Sequence, residues 1–158
     1  MSTPRRLLAL APLVLLAHVV EEAPGFLDWF NRHAEPDLTM GGFLAINAFG
    51  LLVTVLLAVP SVGSPNHLLA LGLIGWLSFL MLANGLLHIA ASLVFREYVP
   101  GTVTAGALYL PYFLAATVTI CRNSGVRPRA AILAATIGAV PMAVQGISVL
   151  TVGRRILW

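Results

Sequence analysis

Apolar residues fall into five long runs separated by short clusters of polar, glycine and proline residues. The first covers residues 6–23 and stops at Pro24-Gly25. The others cover 41–59, closed by Pro60; 67–95, closed by Arg96-Glu97; 101–120, closed by a basic loop; and 130–152, closed by Gly153-Arg154-Arg155. Crossing a bilayer takes about 20 apolar residues per helix, and most of these runs have that length. The pattern predicts an all-α fold: a polytopic membrane bundle of about five transmembrane helices, one domain over residues 1–158. Between the first two runs, Phe26, Leu27, Trp29 and Phe30 interleave with Asp28, Asn31 and Arg32. That stretch predicts a short interfacial segment with its aromatic rings in the headgroup layer. The turn after the second run carries Gly63 and Pro65 and no charge.

Composition narrows the picture. Hydrophobic residues make up 59% of the chain and charged residues 9%, where a soluble domain carries roughly 25% charged. Arg5 and Arg6 precede the apolar stretch from Leu7 to Ala17, as in a signal peptide. The stretch ends in His18-Val-Val-Glu-Glu rather than a small-x-small cleavage site, so it reads as a retained helix. All nine basic residues are Arg, with no basic patch among aromatics, which speaks against nucleic-acid binding. Placing the N-terminus in the cytoplasm puts Arg5, Arg6, Arg122, Arg127 and Arg129 inside and Arg32, Arg96, Arg154 and Arg155 outside. That margin favours a multi-pass protein of the inner (plasma) membrane with a cytoplasmic N-terminus. Cys121 has no partner for an internal disulfide and reads as a small apolar residue. No internal repeat suggests an inverted-repeat transporter. Gly72, Gly75, Gly85, Gly101, Gly106, Gly138 and Gly146 predict close helix approach, within the bundle or in a homo-oligomer. Pro111 and Pro141 predict bends in the fourth and fifth helices.

Alternating helix direction brings polar residues together. The first, third and fifth helices run one way and the others return; the face where the first helix ends is here the far face. His18, Glu21 and Glu22 lie in the last turns of the first helix. Asn84 and His88 lie in the far half of the third, His88 being seven residues, ~10 Å, from Phe95. Asn47 sits at a comparable depth in the second helix, Tyr109 near the middle of the fourth and Gln145 in the far half of the fifth. The near half is mostly Leu, Ala, Val and Gly. His18 shares a helix face with Glu21 or Glu22, and Asn84 shares one with His88. Ionisable and amide groups are costly in hydrocarbon and face the bundle interior or a watered cavity. A structural alternative makes Glu22 the membrane exit of its helix and Asn84–His88 an interhelical hydrogen-bonded joint.

His18-Val-Val-Glu21-Glu22 at the end of a first membrane helix resembles the signature of the HXXEE family of small bacterial membrane proteins. Asn84-x-x-x-His88 and Tyr98-Val-Pro100-Gly101-Thr-Val-Thr104-Ala extend the resemblance, which covers about residues 10–115. The family is defined by sequence and carries no settled activity. Tyr98 becomes a candidate through this motif alone.

Two imidazoles, two carboxylates and amides at one depth suit acid/base catalysis on an apolar substrate entering from the lipid. In that expectation Glu21 is the acid, His18 its partner, and His88 the opposing base held by Asn84. Glu22 completes the catalytic set, Asn47, Tyr109, Gln145 and Tyr98 contact a lipid-like or isoprenoid-like substrate, and no cofactor is required. A second expectation takes His18, Glu21, Glu22 and His88 as ligands of zinc or iron in a membrane hydrolase. A third is a proton-coupled carrier or scaffold without catalysis. The partners expected are membrane lipid and a hydrophobic small molecule.

Overall fold

A computed structural model of the chain describes residues 3–63 and 66–156; Pro65 of the predicted turn lies outside them. The described residues are almost wholly helical, with no strand beyond an isolated bridge between Glu35 and Arg154. The elements are α1 (Thr3–Leu8), α2 (Ala11–Glu22), α3 (Phe26–His33), α4 (Met40–Gly63), α5 (His67–Phe95), α6 (Thr102–Ser124) and α7 (Pro128–Val152). Helices α4 to α7 are each long and apolar enough to cross a bilayer, and α1–α2 adds a fifth span when joined to α3. The molecule is a polytopic membrane bundle, as the run pattern predicts.

Each departure from a straight helix has a local cause. Pro12 has no N–H to offer Leu8, and α1 separates from α2 there through turns at Ala9 and Leu10. The Tyr112 hydroxyl from α6 supplies the missing donor, lying 3.0 Å from Leu7 O and 3.3 Å from Leu8 O. Pro24-Gly25 stops α2, and α3 leaves at 69°. The second run does not end at Pro60: α4 continues to Gly63, with the Ser61 hydroxyl donating to Leu57 O at 2.7 Å beside the interruption. The fourth and fifth spans are also longer than the hydropathy suggests, reaching Ser124 and starting at Pro128. Proline at a first helical turn loses no bond that the helix would make. Two π-helical turns interrupt the α pattern, Ser78–Ala83 in α5 and Ala105–Tyr109 in α6. The second shifts the hydrogen-bond register just ahead of Pro111.

Helix α5 is the central element. It packs against α4, α6 and α7, and half of its most apolar stretch is buried, against 22% for α4 and 17% for α7. The outward faces of α4 and α7 expose Leu, Ile, Val and Phe side chains, as a lipid-facing surface requires. Gly72 and Gly106 face open space rather than a neighbouring helix, but glycine does set the α5–α7 distance. A Cβ on Gly138 would stand 2.0 Å from Gly75 O and one on Gly146 2.0 Å from the Leu87 side chain. The near half is less apolar inside than its composition suggests. The Trp76 indole donates to the Thr54 hydroxyl at 2.9 Å, and Ser78 donates across to Ala135 O at 2.7 Å.

Helix α3 is amphipathic. Its apolar residues Phe26, Trp29 and Phe30 sit at helical spacing and turn inward over the bundle, leaving Asp28, Asn31 and Arg32 exposed. Trp29 is 4% exposed, packed on Phe95 and His33. Glu97 at the end of α5 pins α3 from outside, 3.2 Å from His33 Nε2 and 3.8 Å from Arg32 Nη2.

Replacing Gly138 by Ala drives a methyl group into backbone that cannot swing aside. Thermal unfolding in detergent should show a loss of about 1–3 kcal/mol. Gly72→Ala, with open space around its Cβ, should stay within about 0.5 kcal/mol of wild type. Equal midpoints for the two variants would refute glycine-set packing of α5 on α7.

Candidate functional site

The far ends of α2, α5 and α6 bring His18, Glu22 and His88 into contact. All three are buried, at 1%, 5% and 4% exposure. Glu22 Oε1 stands 3.0 Å from His88 Nε2 and 3.4 Å from His18 Nε2, so one carboxylate oxygen serves both imidazoles. The two rings meet edge to face with centroids 4.9 Å apart, and Tyr109 stacks on the other side of His18 at 4.1 Å. His18 Nδ1 lies 2.7 Å from the Thr104 hydroxyl, which also donates to Gly101 O at 3.2 Å. His18 Nε2, besides facing Glu22, lies 3.4 Å from the Asn84 amide nitrogen. Two buried polar atoms beside the cluster, His88 Nδ1 and Tyr109 Oη, have no hydrogen-bond partner among the described residues.

The motif from Tyr98 to Thr104 builds the wall behind this cluster. Gly101 begins α6 at φ +102°, a conformation favouring glycine. A Cβ there would stand 2.7 Å from His88 Cε1 and 2.9 Å from His18 Cε1, so the bare backbone lies against both rings. Thr102 ties the turn to α5 by donating to His88 O at 3.2 Å, and the Ser92 and Thr102 hydroxyls are 2.8 Å apart.

The two glutamates divide the work differently from the expected roles. Glu21 faces away from His18, and its carboxylate accepts from Val103 N–H at 3.0 Å and Thr104 N–H at 2.7 Å. It caps the open N-terminus of α6 from another helix, where donors lack partners and the backbone dipole favours an anion. The Tyr98 hydroxyl donates to the same carboxylate; this bond holds the phenol above its ordinary pKa, with a smaller contribution from burial. Tyr98 is therefore an exposed outer brace. Asn84 bonds to His18 and not, as its i,i+4 spacing suggests, to His88. Adjacent residues on a helix point about 100° apart, so Glu22 can look inward while Glu21 reaches the neighbouring helix.

A cavity of about 570 Å³ lies alongside, between α4 and α7 and against α5, with Phe26, Trp29 and Phe30 of α3 over it. Glu22 and His88 line it together with Asn47, Asn84, Gln145 and Arg155, and the rest of its wall is mainly apolar. His18, Glu21, Tyr98 and Tyr109 are not part of its lining. Asn47 holds its own helix by donating to Phe43 O at 3.0 Å, and Gln145 accepts from Ile156 N–H at 3.0 Å. Arg155 and Trp76 are lining residues the run pattern did not single out. A charged residue beyond the last helix carries no sequence signal of inward placement.

The fold and cluster define a class: a polytopic membrane protein with a buried His/Glu group at one end of its bundle. The chain belongs to the family described as proteins of unknown function with an HXXEE motif, whose sequence model matches residues 9–116. That segment contains the whole cluster and its supporting turn, while α7 and Arg155 fall beyond it. No curated protein and no solved structure matches the chain.

Glu21→Ala should lower thermal stability by about 1 kcal/mol, the cost of a lost helix cap, and leave the ring NMR resonances of His18 and His88 in place. Gly101→Ala should shift both sets of resonances. If Glu21→Ala displaces them as well, its assignment to the α6 terminus is wrong.

Proposed function

We propose that the protein is a membrane-embedded enzyme in which Glu22 and His88 move protons on a lipid-like, isoprenoid-like substrate. The observation that carries this reading is the exposure of a buried carboxylate–imidazole pair to a large, mainly apolar cavity between spans. Substrate pockets combine apolar walls with a few placed polar groups, and strongly coupled acid/base pairs cluster where chemistry is done. His88 and Glu22 hold one proton between them. His88 presents a hydrogen-bonding edge to the substrate, and Glu22 takes or returns the proton. His18 is a positioning residue, fixed by Thr104, Asn84 and Tyr109 and absent from the cavity wall. A group that gains a proton at one substrate carbon and loses one at another performs an isomerisation or a cyclisation. No cofactor enters this version.

One observation favours a second reading. A ligand atom from each of His18, Glu22 and His88 lies within 4.8 Å of the others. The edges of 3.0 and 3.4 Å around Glu22 compare with ~3.3 Å between ligands of a tetrahedral zinc ion with bonds of about 2.0 Å. Two imidazoles and one carboxylate suit zinc or iron with open positions, and such an ion would activate water for hydrolysis of an ester or amide. The Thr104 hydroxyl would then hold the His18 tautomer. The unpartnered Nδ1 of His88 tells against it, since a coordinating Nε2 leaves that nitrogen a buried N–H without an acceptor. In either version we place the protein in the inner membrane with a cytoplasmic N-terminus, on the balance of arginines at the two faces.

Reconstituted protein incubated with host lipid extract in heavy water should introduce deuterium into one lipid species. His88→Ala and Glu22→Gln should slow that incorporation by about 10²–10⁴-fold, the range for general acid–base groups. Zinc or iron retained stoichiometrically through purification, and lost in His18→Ala, would replace the metal-free version. No deuterium in any lipid would remove the proton-transfer reading.

A further inference from the structure

The cavity faced by Glu22 and His88 also carries a cation. Arg155 lies three residues beyond the end of α7 and lines the cavity. Its place is set by the backbone: Glu35 N–H donates to Gly153 O at 2.6 Å and Arg155 N–H donates to Glu35 O at 2.8 Å. The guanidinium is then held from two sides. Nη2 donates to Pro36 O at 2.6 Å and Asp37 O at 3.0 Å, and Cζ stands 5.5 Å over the Phe30 ring. Carbonyls and a ring position the group without neutralising it. Among the described residues no carboxylate forms an ion pair with Arg155, and its Nε is buried without a hydrogen-bond partner. A fixed guanidinium with an unused donor and, among the described residues, no counter-ion has the chemistry to receive an oxyanion.

The remainder of the wall says what the anion is attached to. Phe43, Phe49, Trp76, Phe79 and Met142 give it an apolar body. Along α5 the lining extends from Trp76 to Ala91, ~22 Å of helix, and Arg155 sits at the far-face end beside the α3–α4 connection. A free small anion would leave that apolar surface unused, and a neutral hydrocarbon would leave the guanidinium unpaired.

We propose that the cavity takes a single-chain amphiphile, its anionic carboxylate or phosphate head on Arg155 and its apolar body between α4 and α7. This deepens the proton-transfer reading and rests on it for the chemistry: the chain of such a ligand passes the wall that contains Glu22 and His88.

Amphiphiles of one chain length, brominated at the tail end, test this by quenching tryptophan emission, since Trp29 and Trp76 line the cavity. The full-length protein is held in an uncharged detergent, and the heads compared are carboxylate, phosphate, hydroxyl and trimethylammonium. The two anions should bind about tenfold more tightly than the alcohol, as one charge-assisted bond implies, and the cation weakest. In Arg155→Gln the preference should fall below about twofold with the alcohol unchanged, and in Arg154→Gln, at an exposed neighbour, it should persist. Equal affinity of alcohol and anions in the wild type, or a full preference surviving in Arg155→Gln, overturns the proposal. Should Arg155→Gln lose the alcohol as well, the wild-type and Arg154→Gln series decide alone, at low and high salt. Anion preference without deuterium transfer would sink the catalytic reading only; transfer without anion preference would sink this one only.

Discussion

A carboxylate buried in a bundle whose outer surface faces lipid needs polar partners within the fold, because hydrocarbon offers it none. Glu22 imposes that constraint, and the far half of the protein is arranged around it. Two imidazoles share its oxygen. The first is held by a hydroxyl, an amide and a stacked phenol. The hydroxyl belongs to a turn whose own free N–H groups are capped by Glu21. Each layer answers the unmet polar valence of the one inside it, so the paired glutamates of the motif serve opposite ends of one chain of contacts.

The backbone irregularities have the same purpose. An additional residue in a helical turn rotates everything beyond it by about 100°. The π turn over Ser78–Ala83 stands immediately before Asn84. A regular helix through the same residues would carry Asn84 and His88 to another face. The π turn over Ala105–Tyr109 ends on the phenol that stacks on His18. Gly101 omits a side chain where both rings need the space. Together these features make a rigid wall, and on the other side of Glu22 and His88 the spans leave a cavity. The cluster is therefore packed on one side and open to the cavity on the other.

Much of this organisation is legible in the chain. Hydropathy and a fixed rise per residue specify how deep a side chain lies in the membrane, and alternating direction carries the same depth from span to span. His18, Glu22, Asn84 and His88 could therefore be set at one level from their positions alone, and they do meet. The helix ends at Pro60, Ile120 and Ala130 were less legible, because local hydroxyls and first-turn geometry let proline and polar residues remain helical.

The sequence by itself determined the membrane, the spans and the level of the cluster, since those follow from local apolar length. Tertiary structure decided which way each side chain faces around its helix axis. That choice made Glu22 the inner carboxylate and Glu21 a cap, turned Trp29 and its neighbours inward, and brought Arg155 to the cavity. Rotation about a helix axis answers to packing between distant segments, to glycine contacts and to inserted turns, none of which hydropathy along the chain can register.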